Sequence, residues 1–282
     1  MERELTILSF GAGQDSTAIL YKIVYDVDFR KEYVKGKLMV VFANTQNEKR
    51  ATYEHLVEVM EFCKSNGIEF ITVGEKFRTG DWRKGLIAFY EAGNRVGSKA
   101  FPKTCTDNLK IQPIYKWLDL YLHTTYGYGK RSSDGKLRKT AIKEFNRKHG
   151  RIIMLIGIAA GEEKRASSDA DSPSVWMRNC INKVYPLIPL KMNRQACQDY
   201  IKSVGHTVPM PSACILCPFM NDIELLHLYR NDLYWFNKWV KLEANKIANN
   251  LDAGDKNLGV WGKKLLPEKI IEIQKRYGHM TN

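Results

Sequence analysis

The segment Leu5-Thr6-Ile7-Leu8-Ser9-Phe10-Gly11-Ala12-Gly13-Gln14-Asp15-Ser16-Thr17 decides the fold, because an apolar run leads into a glycine turn and then a helix start. Its first six residues predict a buried strand, and a helix is predicted from Ser16 to Tyr25. Further apolar runs predict strands at 38–43, 68–73, 152–158 and 184–190. Helical spacing recurs at 51–65, 111–121, 193–204 and 222–248. Strands that alternate with helices predict an α/β fold, a doubly wound and mostly parallel sheet with a helical C-terminal region.

Length and composition narrow the class of protein. The 282 residues are 44% apolar and 27% charged, which is ordinary for a globular protein of one large or two smaller domains. The longest apolar run covers residues 152–160, whereas a bilayer-spanning helix needs about 20 apolar residues. The opening Met1-Glu2-Arg3-Glu4 carries acidic residues and is unlike a secretory signal. We therefore expect a cytoplasmic protein that has no membrane partner.

Positive charge is concentrated in one segment, residues 130–151. The whole chain has 44 Lys and Arg against 31 Asp and Glu, for a net charge of +13. The basic residues of the segment are Lys130, Arg131, Lys136, Arg138, Lys139, Lys143, Arg147, Lys148 and Arg151. Such density predicts contacts with the phosphates of a nucleic acid, with Tyr126 and Tyr128 stacking on bases. A solvated, lysine-rich surface is the alternative.

The glycine turn after the first strand is the predicted ligand site. In a doubly wound sheet, ligands bind beyond the carboxyl ends of the strands, and glycines let backbone N–H groups approach a phosphate. The helix that follows adds the positive end of its dipole. The turn matches neither G-x-x-x-x-G-K-[ST] nor G-x-G-x-x-G, so composition alone leaves a purely structural turn open.

Five parts of the chain match, in order, the motifs of one known family. They are S-F-G-A-G-Q-D-S-T at 9–17, F-A-N-T-Q-N-E at 42–48, C-T-D-N-L-K-I-Q-P at 105–113, G-I-A-A-G-E-E-K-R at 157–165, and C-I-L-C-P-F at 214–219, the last preceded by Y-P-L-I-P-L at 185–190 and Y-I at 200–201. These parts resemble motifs of the phosphoadenosine phosphosulfate reductase-like family. That family belongs to the adenine nucleotide alpha-hydrolase superfamily, whose members carry a pyrophosphatase loop.

The resemblance implies a Rossmann-like adenine nucleotide alpha-hydrolase fold that binds ATP, or a related adenine nucleotide, with Mg²⁺. It implies a nucleotide-binding domain at 1–220, with a basic insertion at about 126–151, and a helical extension at 221–282. The residues that it places at the nucleotide are Ser9, Gly11, Gly13, Gln14, Asp15, Ser16, Thr17, Phe42, Asn44, Gly157 and Glu162. The catalytic residues that it implies are Asp15, Ser16, Lys110 and Arg165.

Several family positions carry other residues in this chain. Gly11 and Ala12 stand in place of Ser and Gly, Gln14 in place of Lys, Asn44 in place of Asp, and Ala159 in place of Arg. We expect the backbone N–H groups of the loop still to bind a pyrophosphate. Lys110, Lys164 and Arg165 are the residues expected to meet its charge.

The six cysteines are expected to be reduced, because no export signal is predicted. Cys214 and Cys217 form a C-x-x-C pair, which suits zinc or an iron–sulfur cluster. The resemblance implies Cys105 as a third ligand, and we choose Cys180 as the fourth ligand of a [4Fe-4S] cluster. Zinc and unligated thiols are the alternatives. Cys63 and Cys197 lie on predicted helical faces and are expected in the core.

The predicted function is ATP-dependent modification of a nucleic acid, tRNA or DNA, by sulfur insertion through an adenylated intermediate. A sulfur-donor protein is the second expected partner. One alternative is a sulfonucleotide reductase, although the E-C-G-[IL]-H motif of those enzymes has no counterpart in residues 218–282, which contain no cysteine. The other alternative is a non-catalytic module that senses ATP and binds nucleic acid.

Overall fold

The computed structural model describes residues 4–167 and 174–279, so Met1 to Arg3, which enter the prediction of no export signal, lie outside the described residues. The chain divides into two compact units. We call the first the sheet unit, which comprises residues 1–44, 50–77 and 111–212. We call the second the helical unit, which comprises residues 45–49, 78–110 and 213–282. Among the described residues, no helix combines the length and the apolar character that a membrane crossing requires.

The sheet unit is built on a parallel sheet of five strands among the described residues. The strands are β1 (Leu5–Phe10), β2 (Lys37–Ala43), β3 (Glu69–Val73), β4 (Ile152–Ile156) and β5 (Ile181–Val184). Their order across the sheet is β3-β2-β1-β4-β5, and each neighbouring pair is parallel. The carboxyl ends of all strands therefore meet at one edge. The strand order reverses between β1 and β4, which is where such sheets form a ligand crevice.

Helices cover both faces of this sheet, as the sequence predicts. The helices of the chain are α1 (Gln14–Tyr25), α2 (Val27–Tyr33), α3 (Arg50–Ser65), α4 (Leu86–Ala92), α5 (Gln112–Tyr126), α6 (Thr140–His149), α7 (Val175–Cys180), α8 (Arg194–Ser203), α9 (Asp222–Asn231), α10 (Leu233–Ala248) and α11 (Leu266–Tyr277). Ile7 and Met39 point into one apolar cluster, and their neighbours Leu8 and Val40 point into another. The predicted doubly wound α/β fold is therefore confirmed.

Two predicted elements differ from the observed ones. The fifth strand was expected at 184–190 but ends at Val184, because the following segment contains Pro186 and Pro189, which cannot donate to a sheet. The single helix expected at 222–248 is two helices, α9 and α10, separated at Asp232, whose φ of −147° and ψ of 59° are not helical.

The helical unit does not follow the predicted boundary at residue 220. Its core is shared by two separate stretches of chain, 78–110, represented by Leu86 and Leu109, and 213–282, represented by Leu216 and Trp239. Residues 45–49, which follow β2, are tied to the stretch beginning at 213 by backbone hydrogen bonds, such as the one from the Ile215 N–H to the Asn47 carbonyl at 2.7 Å. Hydrophobic periodicity reports the faces of each helix but does not report which distant segments share a core.

The segment preceding β4 packs into the sheet unit through α6. Ala141, Ile142 and Phe145 are buried in the same cluster as Ile7. The prediction that Tyr126 and Tyr128 stack on bases is wrong for Tyr128, which is 7% exposed in this core and whose hydroxyl lies 2.7 Å from His149 Nε2. Tyr126 is half-buried against the same cluster, so neither ring is presented as a stacking platform.

Candidate functional site

The turn between β1 and α1 lies at the carboxyl edge of the sheet. Gly13 precedes α1 with extended backbone and contributes no side-chain cap. Ser16 Oγ accepts from the Gly11 N–H at 3.2 Å and donates to the Gly13 carbonyl at 3.1 Å, which closes the turn on itself. The first N–H groups of a helix have no acceptor inside it. The start of α1 is therefore the natural anion site of this unit.

Gly157, the first residue after β4, allows the strand to pack directly on the first turn of α1. A Cβ at this position would lie 2.8 Å from the backbone N of Ser16 and 3.1 Å from the backbone carbonyl carbon of Asp15. These neighbours are backbone atoms, so no side chain can rotate away to make room. The close approach fixes the loop against the end of β4.

We expect Gly157→Ala to destabilise the sheet unit by about 1–3 kcal/mol, the usual cost of forcing a methyl group into a packed site. ATP affinity should fall as well, because the added methyl displaces the first turn of α1. Urea unfolding and calorimetric titration with ATP measure the two effects. Gly74→Ala is the matched control, since a Cβ there meets no atom within 4 Å. Equal stability and affinity in both variants would contradict the expectation.

Two polar side chains that the resemblance places at the nucleotide are held by the protein itself. The Gln14 amide donates to the Pro209 carbonyl at 2.9 Å and accepts from Gln198 at 2.9 Å. Thr17 is fully buried, and its hydroxyl lies 3.0 Å from His55 Nε2. Burial lowers the pKa of His55, so its ring is held neutral. In this structure both side chains brace the loop rather than face a ligand.

Acidic and basic side chains meet beside the loop. Glu162 accepts from Arg194 at 2.9 Å and is also paired with Arg165. Burial raises the pKa of Asp15, and the positive charge of Arg194 partly offsets that effect. The Asp15 Oδ1 atom is buried without a hydrogen-bond partner among the described residues. This pattern suits a carboxylate that completes its coordination with a cation.

The other predicted nucleotide contacts are distributed as follows. Ser9 is half-buried in β1, and Asn44 follows β2 and accepts from the Tyr53 hydroxyl at 3.0 Å. Lys164 is exposed after β4. The Phe42 side chain is 1% exposed and packs in the apolar core, and the position of this residue at the nucleotide stays a prediction.

Three cysteines come together in the helical unit. Cys105, Cys214 and Cys217 all pack against the core of this unit. Burial raises the pKa of the Tyr90 hydroxyl, and the charges of these three thiols raise it further. Burial raises the pKa of Cys217, and the charge of Cys105 raises it further.

A buried carboxylate connects these thiols to a lysine. The side chain of Glu48 is fully buried, and its Oε1 lies 3.0 Å from Lys110 Nζ and 3.0 Å from the Thr45 hydroxyl. The Cys214 thiol donates to the same oxygen at 3.9 Å. Burial alone would lower the pKa of the Lys110 ammonium. The interaction with the Glu48 carboxylate more than offsets this effect, so the pKa is raised. The structure thus places Lys110 in the helical unit, as the partner of Glu48.

The predicted four-cysteine cluster does not fit the described residues. No group of three or more His, Cys, Asp or Glu side chains within residues 4–167 and 174–279 is arranged to hold a metal ion. Cys180 is 3% exposed in the apolar core of the sheet unit and is corrected to a core residue.

The basic segment presents its charge to solvent. Eight of its nine basic side chains are exposed, and Lys139 is half-buried. Asp134 pairs with Lys136 and Arg138, and Glu144 pairs with Lys148 and Arg147. The remaining cations leave a positive surface on α6 and on the loop before it.

Sequence reasoning missed two residues of the loop region. His55 contacts Thr17 across 38 residues, and Arg194 reaches Glu162 across 32 residues. Neither stands in a motif, and only the packing of α3 and α8 beside α1 brings them there. A histidine on the apolar face of α3 was the available signal for His55.

Comparison with known proteins agrees with this architecture. An α/β unit with a glycine loop at the switch point of its sheet is the arrangement of the adenine nucleotide alpha-hydrolase superfamily. The model of the phosphoadenosine phosphosulfate reductase domain family matches residues 6–210, so the chain belongs to that family. The search of curated proteins gives no match.

Among solved structures, the chain is similar to the crystal structure of phosphoadenylyl-sulfate (PAPS) reductase from Candida auris in a phosphate complex. The two chains are 12% identical, the similarity covers 74% of this chain and 75% of that one, and the TM-score is 0.36. At this level of structural similarity the comparison does not establish the fold, which rests on the observed strand order.

Proposed function

We propose that the chain is an ATP-dependent enzyme that inserts sulfur into a nucleic acid. The observation that carries this proposal is that three thiols, Cys105, Cys214 and Cys217, pack against one core in the helical unit. The sheet unit supplies a separate anion site at the start of α1. A unit that binds nucleotide phosphates and a unit that gathers thiols are the two parts that such a reaction needs.

The first step activates an oxygen of the substrate. That oxygen attacks the α-phosphorus of ATP, the new O–P bond forms, and the bond to pyrophosphate breaks. The N–H groups at the start of α1 stabilise the departing pyrophosphate. Mg²⁺ would neutralise phosphate charge, and the Asp15 carboxylate is the residue that would hold it. Arg165 and Arg194 supply further positive charge beside the loop.

The second step replaces the adenylated oxygen. The terminal sulfur of a persulfide on Cys105, loaded by a sulfur-donor protein, attacks the carbon, and the C–O bond breaks as AMP leaves. The Cys217 thiolate then attacks the sulfur of Cys105, so the S–S bond to the product breaks. The product keeps the sulfur, and a Cys105–Cys217 disulfide remains. An external dithiol reduces this disulfide and completes the cycle.

The basic segment supports a nucleic acid as the substrate. Its exposed cations on α6 and in the preceding loop suit a phosphate backbone, and a small sulfonucleotide does not need so extended a surface. A [4Fe-4S] cluster or a zinc ion that uses Cys105, Cys214 and Cys217 without Cys180 stays a prediction, which iron, zinc and acid-labile sulfide analysis of an anaerobic preparation tests.

Conversion of ATP to AMP and pyrophosphate is expected to require a nucleic acid. We expect stimulation of about tenfold or more by tRNA or by DNA, measured as pyrophosphate release. Lys130→Ala, Arg131→Ala and Lys143→Ala combined should remove most of this stimulation, because each lost phosphate contact lowers affinity and flattens its salt dependence. Basal ATP affinity should be retained, because the loop is untouched.

The matched control combines Lys31→Ala, Lys64→Ala and Lys202→Ala, three exposed lysines of the same unit outside the segment. Equal loss in both triple variants would contradict the role of the basic segment. AMP formation that is indifferent to nucleic acid would contradict the proposed substrate.

A sulfonucleotide reductase is the second candidate, because the matching family carries that activity in its name. Release of sulfite from phosphoadenosine phosphosulfate with a dithiol, and no AMP from ATP, would favour it over sulfur insertion.

A further inference from the structure

We propose that a pocket in the helical unit binds one unpaired nucleotide, with its base against aromatic rings and its phosphate against lysines. This inference rests on the proposed function and adds where the target nucleotide is held. The pocket has a volume of about 350 Å³, within the range of small-ligand sites, and the Cys105 side chain is part of its wall. Every residue that lines it belongs to the helical unit.

The pocket wall is unusually rich in flat aromatic surface. Phe101 is 47% exposed and Phe219 is 40% exposed, although large apolar side chains are normally buried. Trp82 and Phe89 stack on each other with ring centroids 3.6 Å apart and planes 9° apart. Base stacking needs such rings, and it tolerates any base because every base has a flat face.

Cations accompany the rings. Lys103, Lys246 and Arg95 line the pocket, and none of the described residues that line it is acidic. Lys103 Nζ lies 5.1 Å from the centroid of the Phe219 ring, so one charge sits directly beside one stacking surface. Lys246 is anchored by hydrogen bonds to Asn257 at 2.7 Å and to the Leu258 carbonyl at 3.0 Å. Arg95 is paired with the Asp81 carboxylate at 2.8 Å, so Lys103 and Lys246 are the cations that suit an anionic ligand.

The combination identifies the class of ligand. A lipid chain would fill the aromatic wall but has no use for the two lysines, and an acidic peptide would use the lysines but not the rings. A nucleotide uses both, since its base stacks and its phosphate accepts from lysine and arginine. A base inside a duplex cannot enter a pocket of this size, so the nucleotide must be single-stranded or turned out of its helix.

Cys105 connects this pocket to the proposed sulfur transfer. The thiol that would carry sulfur lies in the wall of the cavity that would hold the base. An unpaired base in the pocket is thus presented to the sulfur without a further binding step.

The test uses the full chain and a short single-stranded DNA that carries one 2-aminopurine, whose fluorescence falls when the base stacks. Binding is measured without ATP, so that its result is independent of sulfur transfer. We expect quenching on binding, and Phe101→Leu with Phe219→Leu should weaken the affinity about tenfold. Tyr234→Leu is the control, because Tyr234 is 68% exposed on the same unit but does not line the pocket.

Lys103→Ala provides a second variant with an exposed side chain, and it should weaken binding and reduce its salt dependence. Lys263→Ala is the matched control, since Lys263 is exposed and lies outside the pocket. Free 2-aminopurine nucleotide and a duplex with the same label form the other arms. Quenching by the free nucleotide or by the single strand that the Phe101/Phe219 and Lys103 variants weaken supports the pocket and identifies the source of the nucleotide.

Absence of quenching with both probes, or unchanged affinity in the Phe101/Phe219 and Lys103 variants, overturns the inference. Nucleic-acid-dependent AMP formation alongside that result would leave the proposed function standing. Pocket binding without any AMP formation would overturn the proposed function and leave the pocket standing.

Discussion

Replacing Lys110 with Met is expected to destabilise the helical unit by about 3–5 kcal/mol, the usual cost of leaving a buried charge without its partner. Glu48 has no exposed side-chain area, and Lys110 Nζ lies 3.0 Å from its carboxylate. In the variant, the Thr45 hydroxyl still donates to the Glu48 carboxylate, but a hydroxyl does not neutralise its charge. Urea unfolding followed by tryptophan fluorescence measures the loss.

The double variant Glu48→Gln with Lys110→Met serves as the control for this expectation. Removing both charges takes away the desolvation cost together with the attraction, so most of the lost stability should return. A single variant within 1 kcal/mol of the wild-type protein would contradict the assignment of a buried ion pair. Similar loss in the single and double variants would show that packing, not charge, is the cause.

Replacing Cys105 with Ala is expected to abolish sulfur transfer while AMP and pyrophosphate still form. The two activities separate because the adenylation step uses the loop of the sheet unit, whereas Cys105 belongs to the helical unit. Incorporation of radioactive sulfur into nucleic acid, measured beside pyrophosphate release, gives both readings from one sample. We expect transfer to fall by about a hundredfold or more, since the proposed mechanism places the transferred sulfur on Cys105.

Cys63→Ala is the control for loss of a thiol as such, because Cys63 is buried in the core of the sheet unit. Sulfur transfer that survives in the Cys105 variant would place the persulfide on another residue. Iron analysis of the same preparations distinguishes a persulfide mechanism from an iron–sulfur cluster. About four irons per chain in the wild-type protein, and none in the Cys105 variant, would establish a cluster.

The sheet and its loop could be predicted from local sequence. A continuous apolar run such as Leu5–Phe10 has few alternatives to a buried strand, and the glycines after it define the turn. The ends of elements were harder: the apolar pattern at 184–190 is strand-like except for two prolines, and those prolines decide the outcome. Helix propensity alone does not predict that the helix is interrupted at the Asn231-Asp232 pair between α9 and α10.

The composition of the candidate site could be predicted only in part. The motifs group Cys105 with Cys214 and Cys217, and all three pack against the core of the helical unit; their role as ligands stays a prediction. Cys180 carries the same thiol in a similar local context, and only its burial among apolar residues distinguishes it. The Thr17–His55 and Glu162–Arg194 contacts depend on how helices pack, which no local pattern reports.

The helical unit is assembled from three stretches of chain, and this has a consequence for the order in which the protein folds. Glu48 and Cys214 are separated by 166 residues, and their contact is made only when residues from 213 onward are present. During synthesis, residues 45–49 and 78–110 therefore cannot complete their packing until the whole sheet unit has been made, and their apolar side chains stay exposed to solvent during that time. Contacts of such long sequence separation form slowly, so the helical unit is expected to fold last and to depend most on chaperones.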